Sequence, residues 1–281
     1  MAREIGSRRA FAEIMSLPDE AIDLAQASLL IAREEYPGLQ VGDYLARLDG
    51  MAGAVRSRLR GGEVFTGRIA HLNRLLFDEM GFRGNRGEYY DPRNSFLNDV
   101  LDRRLGIPIS LSTVYIEVGR RAGIPLAGVS FPGHFLVRYM GREVATDVLI
   151  DPFNRGQILS ARECRRLIEE TFRGQMEFRP EFLRRARKRE IIERVLNNLK
   201  IIYQGRRDYH RALNAQELLI CVHPERPSGI RDRGLFYYRL ACFAQAAEDL
   251  ASYLEAAPDA PDAAAVRARL DSIARLAPRM N

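Results

Sequence analysis

Tyr203, Tyr209, Ala212 and Pro224 are followed, each 34 residues later, by Tyr237, Phe243, Ala246 and Pro258. A fixed period of that length confines the C-terminal part of the chain to stacked helical hairpins. One hairpin cannot bury its apolar face alone, so each copy must pack on the next. The residue types fit this mechanics. Aromatics fill the space between paired helices, Ala212 and Ala246 permit close approach, and the prolines stand where the second helix of each unit ends. Val266, Leu270, Ile273 and Leu276 then outline a last, capping helix.

The 34-residue period is that of the tetratricopeptide repeat. The rest of the chain changes its hydrophobic period twice. Tyr44, Leu45, Leu48, Met51, Ala52, Val55 and Leu59 recur every three or four residues, as do Ile69, Leu72, Leu75, Leu76 and Met80 ahead of Gly81. These runs predict an N-terminal helical part, with a further helix opened by Ser16 and Pro18-Asp19-Glu20 and closed near Tyr36-Pro37. The Gly-, Arg- and Tyr-rich stretch 81–92 has no period and reads as a loop. Asn94 or Ser95 is placed to cap a helix carrying Phe96, Leu97, Val100, Leu101 and Leu105. Between the turns Gly106-Ile107-Pro108 and Gly123-Ile124-Pro125 lies an amphipathic helix with Leu111, Val114, Tyr115, Val118 and Ala122 on one face. After Pro125 the pattern turns β-branched and aromatic. Strands are expected over 127–131, 134–139 and 146–150, with a hairpin turn at Met140-Gly141-Arg142. The fold class that follows is α+β, in four parts: a helical part over 1–92, a core with a small antiparallel sheet over 93–160, connecting helices over 161–192, and repeats with a capping helix over 193–281.

Composition removes several functional classes. At 281 residues, 46% hydrophobic and 28% charged, the chain is long enough for a substantial core and ordinary for a globular protein. Charges or prolines interrupt every apolar run before it could span a membrane, and the N-terminus Met1-Ala2-Arg3-Glu4-Ile5 lacks the apolar stretch of a secretory signal. Cys164, Cys221 and Cys242 are far apart, odd in number and at no metal spacing, which points to the cytoplasm. His71, His134, His210 and His223 are not at metal-ligand spacing, and neither a Gly-rich phosphate loop nor a Gly-x-Ser-x-Gly elbow occurs, so no metal or cofactor is expected. The net charge of +6 is concentrated in Arg184, Arg185, Arg187, Lys188 and Arg189. With no interleaved aromatics, this cluster reads as a solvated helix face paired with Glu181, Glu190 and Glu193 rather than as a nucleic-acid site.

One constellation carries possible chemistry. His134 follows Pro132-Gly133 and precedes an apolar strand that would hold its ring. Asp151 lies at the end of a neighbouring strand, where its carboxylate could fix the tautomer. Asp-Pro also makes a turn without any catalytic role. Ser110 starts the helix before His134, in the chain order of a Cys-His-Asp triad, and is either that helix's cap or a nucleophile served by His134 and Asp151.

The motifs Asn94-Ser95-Phe96-Leu97, Gly106-Ile107-Pro108-Ile109-Ser110-Leu111-Ser112, Phe131-Pro132-Gly133-His134-Phe135-Leu136-Val137-Arg138, Asp151-Pro152-Phe153-Asn154 and Ile230-Arg231-Asp232-Arg233-Gly234-Leu235 resemble the bacterial SirB-type family. In that family a transglutaminase-like domain of the papain type precedes tetratricopeptide repeats. The resemblance implies a nucleophilic Cys at the start of the helix before Gly123. Counting back reaches Pro108, Ile109 and Ser110, and none is Cys. Two functions stay open. One is a non-catalytic or weakly catalytic interaction or regulatory module with a protein or peptide partner at the repeats and in the core groove. There Asn94, Ser95, Ser112, Phe131 and Arg138 are groove-lining candidates. The other is an amide hydrolase or acyl transferase using Ser110, His134 and Asp151.

Overall fold

The computed structural model describes residues 2–141 and 148–276 and divides into two compact units, Met1–Val195 and Leu196–Asn281. The first unit opens with helices α1 (Ala2–Met15), α2 (Leu24–Glu35), α3 (Val41–Arg56) and α4 (Phe65–Asn73). The start of α2 differs from expectation. Pro18 is followed by a single 3-10 turn over Asp19–Ala21, and Asp23 caps the helix by accepting from the Gln26 N–H. The α4 run widens into a π-turn over Arg74–Glu79 and stops at Gly81, whose φ of +76° favours glycine.

Strand β1 (Arg83–Gly84) emerges from the stretch expected as loop and pairs in parallel with β2 (Leu105–Gly106). Between them lies α5 (Leu97–Arg103), whose N-cap is Phe96. Asn94 and Ser95 do not cap it, because a 3-10 turn over Pro92–Asn94, capped by Asp91, already occupies that position. The helix closes at Arg104, in the left-handed region at φ +59°, two residues before Gly106.

Helix α6 (Pro108–Arg121) is the centre of the unit and is not amphipathic. Every residue from Pro108 to Gly119 is buried, and the helix packs against α2, α3, α5 and the sheet. Its polar residues are satisfied inside. Thr113 donates to the Ile109 carbonyl (2.9 Å), Ser112 to the Phe135 carbonyl (3.5 Å), and Glu117 pairs with Arg120 and Arg121. Gly119 has no room for a side chain, since a Cβ there would lie 2.3 Å from Leu126.

The sheet is an antiparallel meander of β3 (Leu126–Val129), β4 (Leu136–Tyr139), β5 (Val148–Asp151) and β6 (Gln157–Leu159), in that spatial order. The fourth strand was not anticipated. Residues 142–147, with part of the expected hairpin turn and strand, lie outside the described residues. Val129, Leu136 and Leu149 belong to an apolar cluster with Phe131, Cys164 and Ile168, the last two from α7 (Ala161–Phe172). The β3 edge is covered: Arg185 bridges Val129, and the Ala186 N–H donates to the Gly128 carbonyl at 2.7 Å.

The basic cluster is structural over much of its length. Asp19 caps helix α8 (Lys188–Gly205) from the far end of the sequence, accepting from the N–H groups of Lys188 (3.0 Å) and Arg189 (2.9 Å). Lys188 Nζ donates to the carbonyls of Glu20 and Ile22, and Glu190 pairs with Arg184 and Arg187. Arg184 to Arg187 precede the helix instead of forming its face.

The unit boundary falls within α8. The second unit holds the rest of α8 and α9 (Tyr209–Val222), the pair α10 (Pro227–Arg239) and α11 (Phe243–Ala256), and the final helix α12 (Ala263–Leu276). This is the predicted pair of helical hairpins with a cap. Tyr203, Ala212 and Ala246 are buried, while Tyr237 is half-buried with its hydroxyl toward Glu217. The Arg233 guanidinium holds the buried Asp249 carboxylate at two points (2.8 and 2.7 Å), and a Cβ on Gly234 would lie 2.9 Å from Asp249. The Arg-Gly pair in the second repeat thus lets α10 and α11 touch and pins them. Among the described residues, no helix is long and apolar enough to cross a membrane.

Candidate functional site

His134 sits on a turn rather than on its strand. Its N–H donates to the Phe131 carbonyl (3.1 Å) across Pro132-Gly133, and Gly133 has φ +68°. Proline followed by a positive-φ glycine is the composition that a type II turn demands. A Cβ at Gly133 would also lie 2.7 Å from Thr171. The turn is therefore fixed by residue type, and it projects the imidazole toward the end of β5.

There Asp151 is fully buried and both carboxylate oxygens are doubly engaged. Oδ1 accepts from the N–H groups of Phe153 (3.0 Å) and Asn154 (3.2 Å), forming the cap of a short 3-10 turn. Oδ2 accepts from Asn154 Nδ2 (2.7 Å) and from His134 Nε2 (2.8 Å). Because a carboxylate can only accept, Nε2 carries a proton, and in the neutral ring Nδ1 is then the nitrogen with the lone pair. No described residue hydrogen-bonds Nδ1. Arg86 donates to Asn154 Oδ1, so one chain of hydrogen bonds runs from Arg86 through Asn154 and Asp151 to His134.

An aromatic wall flanks the imidazole. Phe153 meets His134 edge-on at 6.0 Å and Tyr89 at 6.5 Å, and the Arg86 guanidinium lies 5.0 Å over the Phe153 ring. Gly84 allows this approach, since a Cβ would lie 2.5 Å from that ring. On the other side of the turn, Arg194 donates to Ser130 Oγ (3.1 Å) and the Phe131 carbonyl (3.2 Å) and lies 5.6 Å over Phe135. Burial lowers its guanidinium below the usual arginine range. Behind Asp151, Tyr115 donates to Asn73, and Asn73 donates to the Gly156 carbonyl (3.0 Å), bracing the turn that carries Asn154 against α6.

The expected nucleophile position looks different. Pro108 is the first residue of α6, so Ser110 lies inside the first turn and is not the N-cap. Its hydroxyl accepts from the Ile107 N–H (3.0 Å) and donates to the Asn94 carbonyl (2.6 Å). It is 2% exposed, and its hydroxyl proton is directed to backbone rather than to His134. A Cβ on Gly106 would lie 2.7 Å from this oxygen, which explains the glycine. Cys164 is packed in the apolar cluster, where burial first, then Glu163 and Asp151, push its thiol up to about 11. Cys221 and Cys242, in α9 and at the start of α11, are in no disulfide.

The groove-lining candidates fall mostly behind the site. Asn94, Ser95, Ser112 and Phe131 are all buried, because each belongs to the packing that supports the turns. Asn94 donates to the carbonyls of Glu88 (2.7 Å) and Tyr89 (3.2 Å), so it shapes the loop that presents Tyr89 and Arg86. The Ser95 hydroxyl is buried without a hydrogen-bond partner. Arg138 donates to the Leu183 carbonyl. Sequence reading missed Asn73, Arg86, Tyr89, Phe153, Asn154 and Arg194 as neighbours of the pair. Only Asn154 had a signal, an amide two residues beyond Asp-Pro. Among the described residues no cluster of His, Cys, Asp and Glu could hold a metal ion.

A half-buried His on a buried Asp beside a central helix, followed by helical hairpins, defines a class, and comparison with known proteins gives the same class. The model of the transglutaminase-like superfamily matches residues 42–197, and a tetratricopeptide repeat model matches 199–271. Protein SirB1 of Salmonella typhimurium is 31% identical over 242 residues, covering 86% of this chain and 88% of that protein. A UPF0162 protein of Xylella fastidiosa is 40% identical over 261 residues, 92% of each chain. Human F-box only protein 21 is 31% identical over 180 residues, covering 60% of this chain and 27% of that protein. No solved structure matches. The chain belongs to the transglutaminase-like superfamily, in the form shared with SirB1 that continues into tetratricopeptide repeats.

Proposed function

We propose that this chain is a non-catalytic transglutaminase-like protein that works as a protein-interaction or regulatory module in the cytoplasm. The carrying observation is that the His134–Asp151 pair is fully built while the hydroxyl nearest the nucleophile's place in the chain is bound to backbone. For Ser110 to attack a substrate, its hydroxyl proton would have to turn away from the backbone carbonyls and toward His134. The cysteines offer no substitute: one is buried with a raised pKa and two lie in the repeats. What persists is a polar floor in which Nδ1 of His134 can accept a hydrogen bond, beside the rings of Phe153 and Tyr89 and the guanidinium of Arg86. Aromatic and Arg side chains around a fixed polar group are the usual makings of a peptide-binding spot. Cysteines outside any disulfide accord with a reducing compartment. About 60% of this chain also matches a stretch of a much longer protein named for its F-box, which favours use as a module.

The test is turnover. Purified chain should show no hydrolysis of fluorogenic amides or esters above that of His134→Ala, and a serine-reactive phosphonate should leave Ser110 unlabelled. Turnover that disappears in Ser110→Ala, with the fold retained, would replace this reading with the Ser110-His134-Asp151 hydrolase or acyl transferase.

A further inference from the structure

The start of α8 brings one cation to the His134 turn that no anion answers. Arg194 is half-buried, and that burial works against its charge. Its Nη1 donates to Ser130 Oγ (3.1 Å) and to the Phe131 carbonyl (3.2 Å). Among the described residues Nε and Nη2 donate to nothing, and no carboxylate pairs with the guanidinium. Neither of those nitrogens is sealed from solvent. Arg103 and Arg121 of the same unit, also half-buried, are paired with Asp91 and with Glu117. A charge withdrawn from water and left with open donors is unfavourable until an anion completes it. Two further open groups lie beside it. The Phe131 carbonyl that accepts from Arg194 also accepts from the His134 N–H (3.1 Å), so the guanidinium flanks the turn that carries the imidazole. His134 Nδ1 has no partner among the described residues. The Tyr89 hydroxyl has none either; burial raises its pKa and the nearby Arg194 charge opposes that rise. Asp151, the carboxylate of this region, is already committed to His134 and to its own turn.

We propose that this spot holds the carboxyl-terminal residue of a partner protein's chain, with its carboxylate on Arg194 Nε and Nη2 and its last backbone N–H on His134 Nδ1. The proposal rests on the module reading above and names what the His134 site takes. Nε and Nη2 present their N–H groups along one edge of a planar guanidinium, the fork that matches the two oxygens of a carboxylate. The two bonds from Nη1 and the Phe135 ring, 5.6 Å from the guanidinium carbon, fix that fork before anything binds, so less side-chain entropy is lost. An open acceptor next to the fork calls for an N–H close to the carboxylate. The final residue of any chain meets that demand, because one α-carbon joins its N–H to its carboxylate. In glutamate the side chain puts the carboxylate farther from the N–H, so an internal acidic residue fits less well. The Tyr89 hydroxyl can donate to the same carboxylate, and the rings of Phe153 and Tyr89 offer the terminal side chain an apolar wall.

The test is fluorescence anisotropy on the intact chain at a pH of about 8, where an ordinary imidazole is neutral. The probes are N-terminally labelled peptides of about eight residues, built of Gly and Ser and ending in Leu, Phe, Ala or Lys. Each is used as the free acid and as the carboxamide, and a further carboxamide set carries glutamate next to the last residue. At least one free acid should bind about tenfold or more tightly than its carboxamide, in keeping with the loss of charge-assisted contacts. The glutamate carboxamides should bind no better than the plain ones. Arg194→Gln should bring the ratio of acid to carboxamide below about twofold while circular dichroism remains unchanged. In the wild type, where no variant has to fold, the Nδ1 nitrogen signal of His134 should shift with the acid and stay in place with the carboxamide. Equal binding of acid and carboxamide, no binding of any peptide, a full ratio in folded Arg194→Gln, an unmoved Nδ1 signal, or glutamate carboxamides that match the free acids would each overturn the proposal. Mass spectrometry of the same mixtures separates this from the module reading: peptides left intact and unbound count against the terminus site alone, whereas cleaved peptides count against the module.

Discussion

Removing the Asp151 side chain tests the central claim about the core, that this carboxylate organises the site. Asp151→Ala deletes the acceptor of four hydrogen bonds at a position with no solvent exposure. Each bond to a charged group contributes roughly 1.5–3 kcal/mol. They share one carboxylate and the turn can relax, so the sum is not additive, and a loss of about 3–5 kcal/mol is expected, as for breaking a buried pair. Asp151→Asn should be milder, at about 1–3 kcal/mol. Its oxygen can still accept from the N–H groups of Phe153 and Asn154, but its NH2 would face His134 Nε2–H and Asn154 Nδ2. His134 can answer by moving its proton to Nδ1. Asn154 can flip its amide, which then turns NH2 toward Arg86, so one conflict remains. Amide exchange by mass spectrometry on the full chain reads both variants without assuming that two units unfold together. Amides of β4 and β5 that exchange only on opening should speed up by about 10²–10⁴-fold in Asp151→Ala, since each 1.36 kcal/mol is a factor of ten. Nitrogen shifts of the imidazole should report the changed tautomer in Asp151→Asn. Exchange in Asp151→Ala within tenfold of wild type, or an unchanged tautomer in Asp151→Asn, would refute the reasoning.

Ser110→Ala should cost about 1–3 kcal/mol by stranding the buried Ile107 N–H and Asn94 carbonyl; a urea midpoint equal to wild type would show that water replaces the hydroxyl. Ala246→Trp, at a fully buried position between α10 and α11, should overpack the repeat by about 1–3 kcal/mol, read as a lower urea midpoint of the 222 nm signal. Asp99 is held above the usual carboxylate range, first by burial, although the Tyr36 hydroxyl at 2.7 Å and nearby arginines act the other way. A raised folded pKa means that its contribution is complete below the unfolded value and is lost as pH rises through the folded one. Asp99→Asn, whose oxygen can still accept from Tyr36, should therefore gain stability at neutral pH, and the gain should shrink on acidification below about 4; a gain independent of pH would contradict this.

Periodicity determined the repeats and the order of the parts. The 34-residue spacing of Tyr, aromatic, Ala and Pro is a local packing rule written once per hairpin, so helices, turns and the buried Ala212 and Ala246 could all be read from it. His134 and Asp151 were legible for a similar reason: a Pro-Gly turn and an Asp-Pro strand end fix their own backbone, and the remaining separation of 17 residues is that of adjacent strands. Other features depended on tertiary structure. In α6, Ser110, Ser112, Thr113 and Glu117 look like a solvent face, and only backbone acceptors and arginines brought in by the fold allow them to be buried. Asp19 caps a helix that begins at Lys188, a pairing that no local rule can reach. The tertiary partner of Ser110 was equally closed to the sequence, because the Asn94 carbonyl that accepts from its hydroxyl arrives from another element.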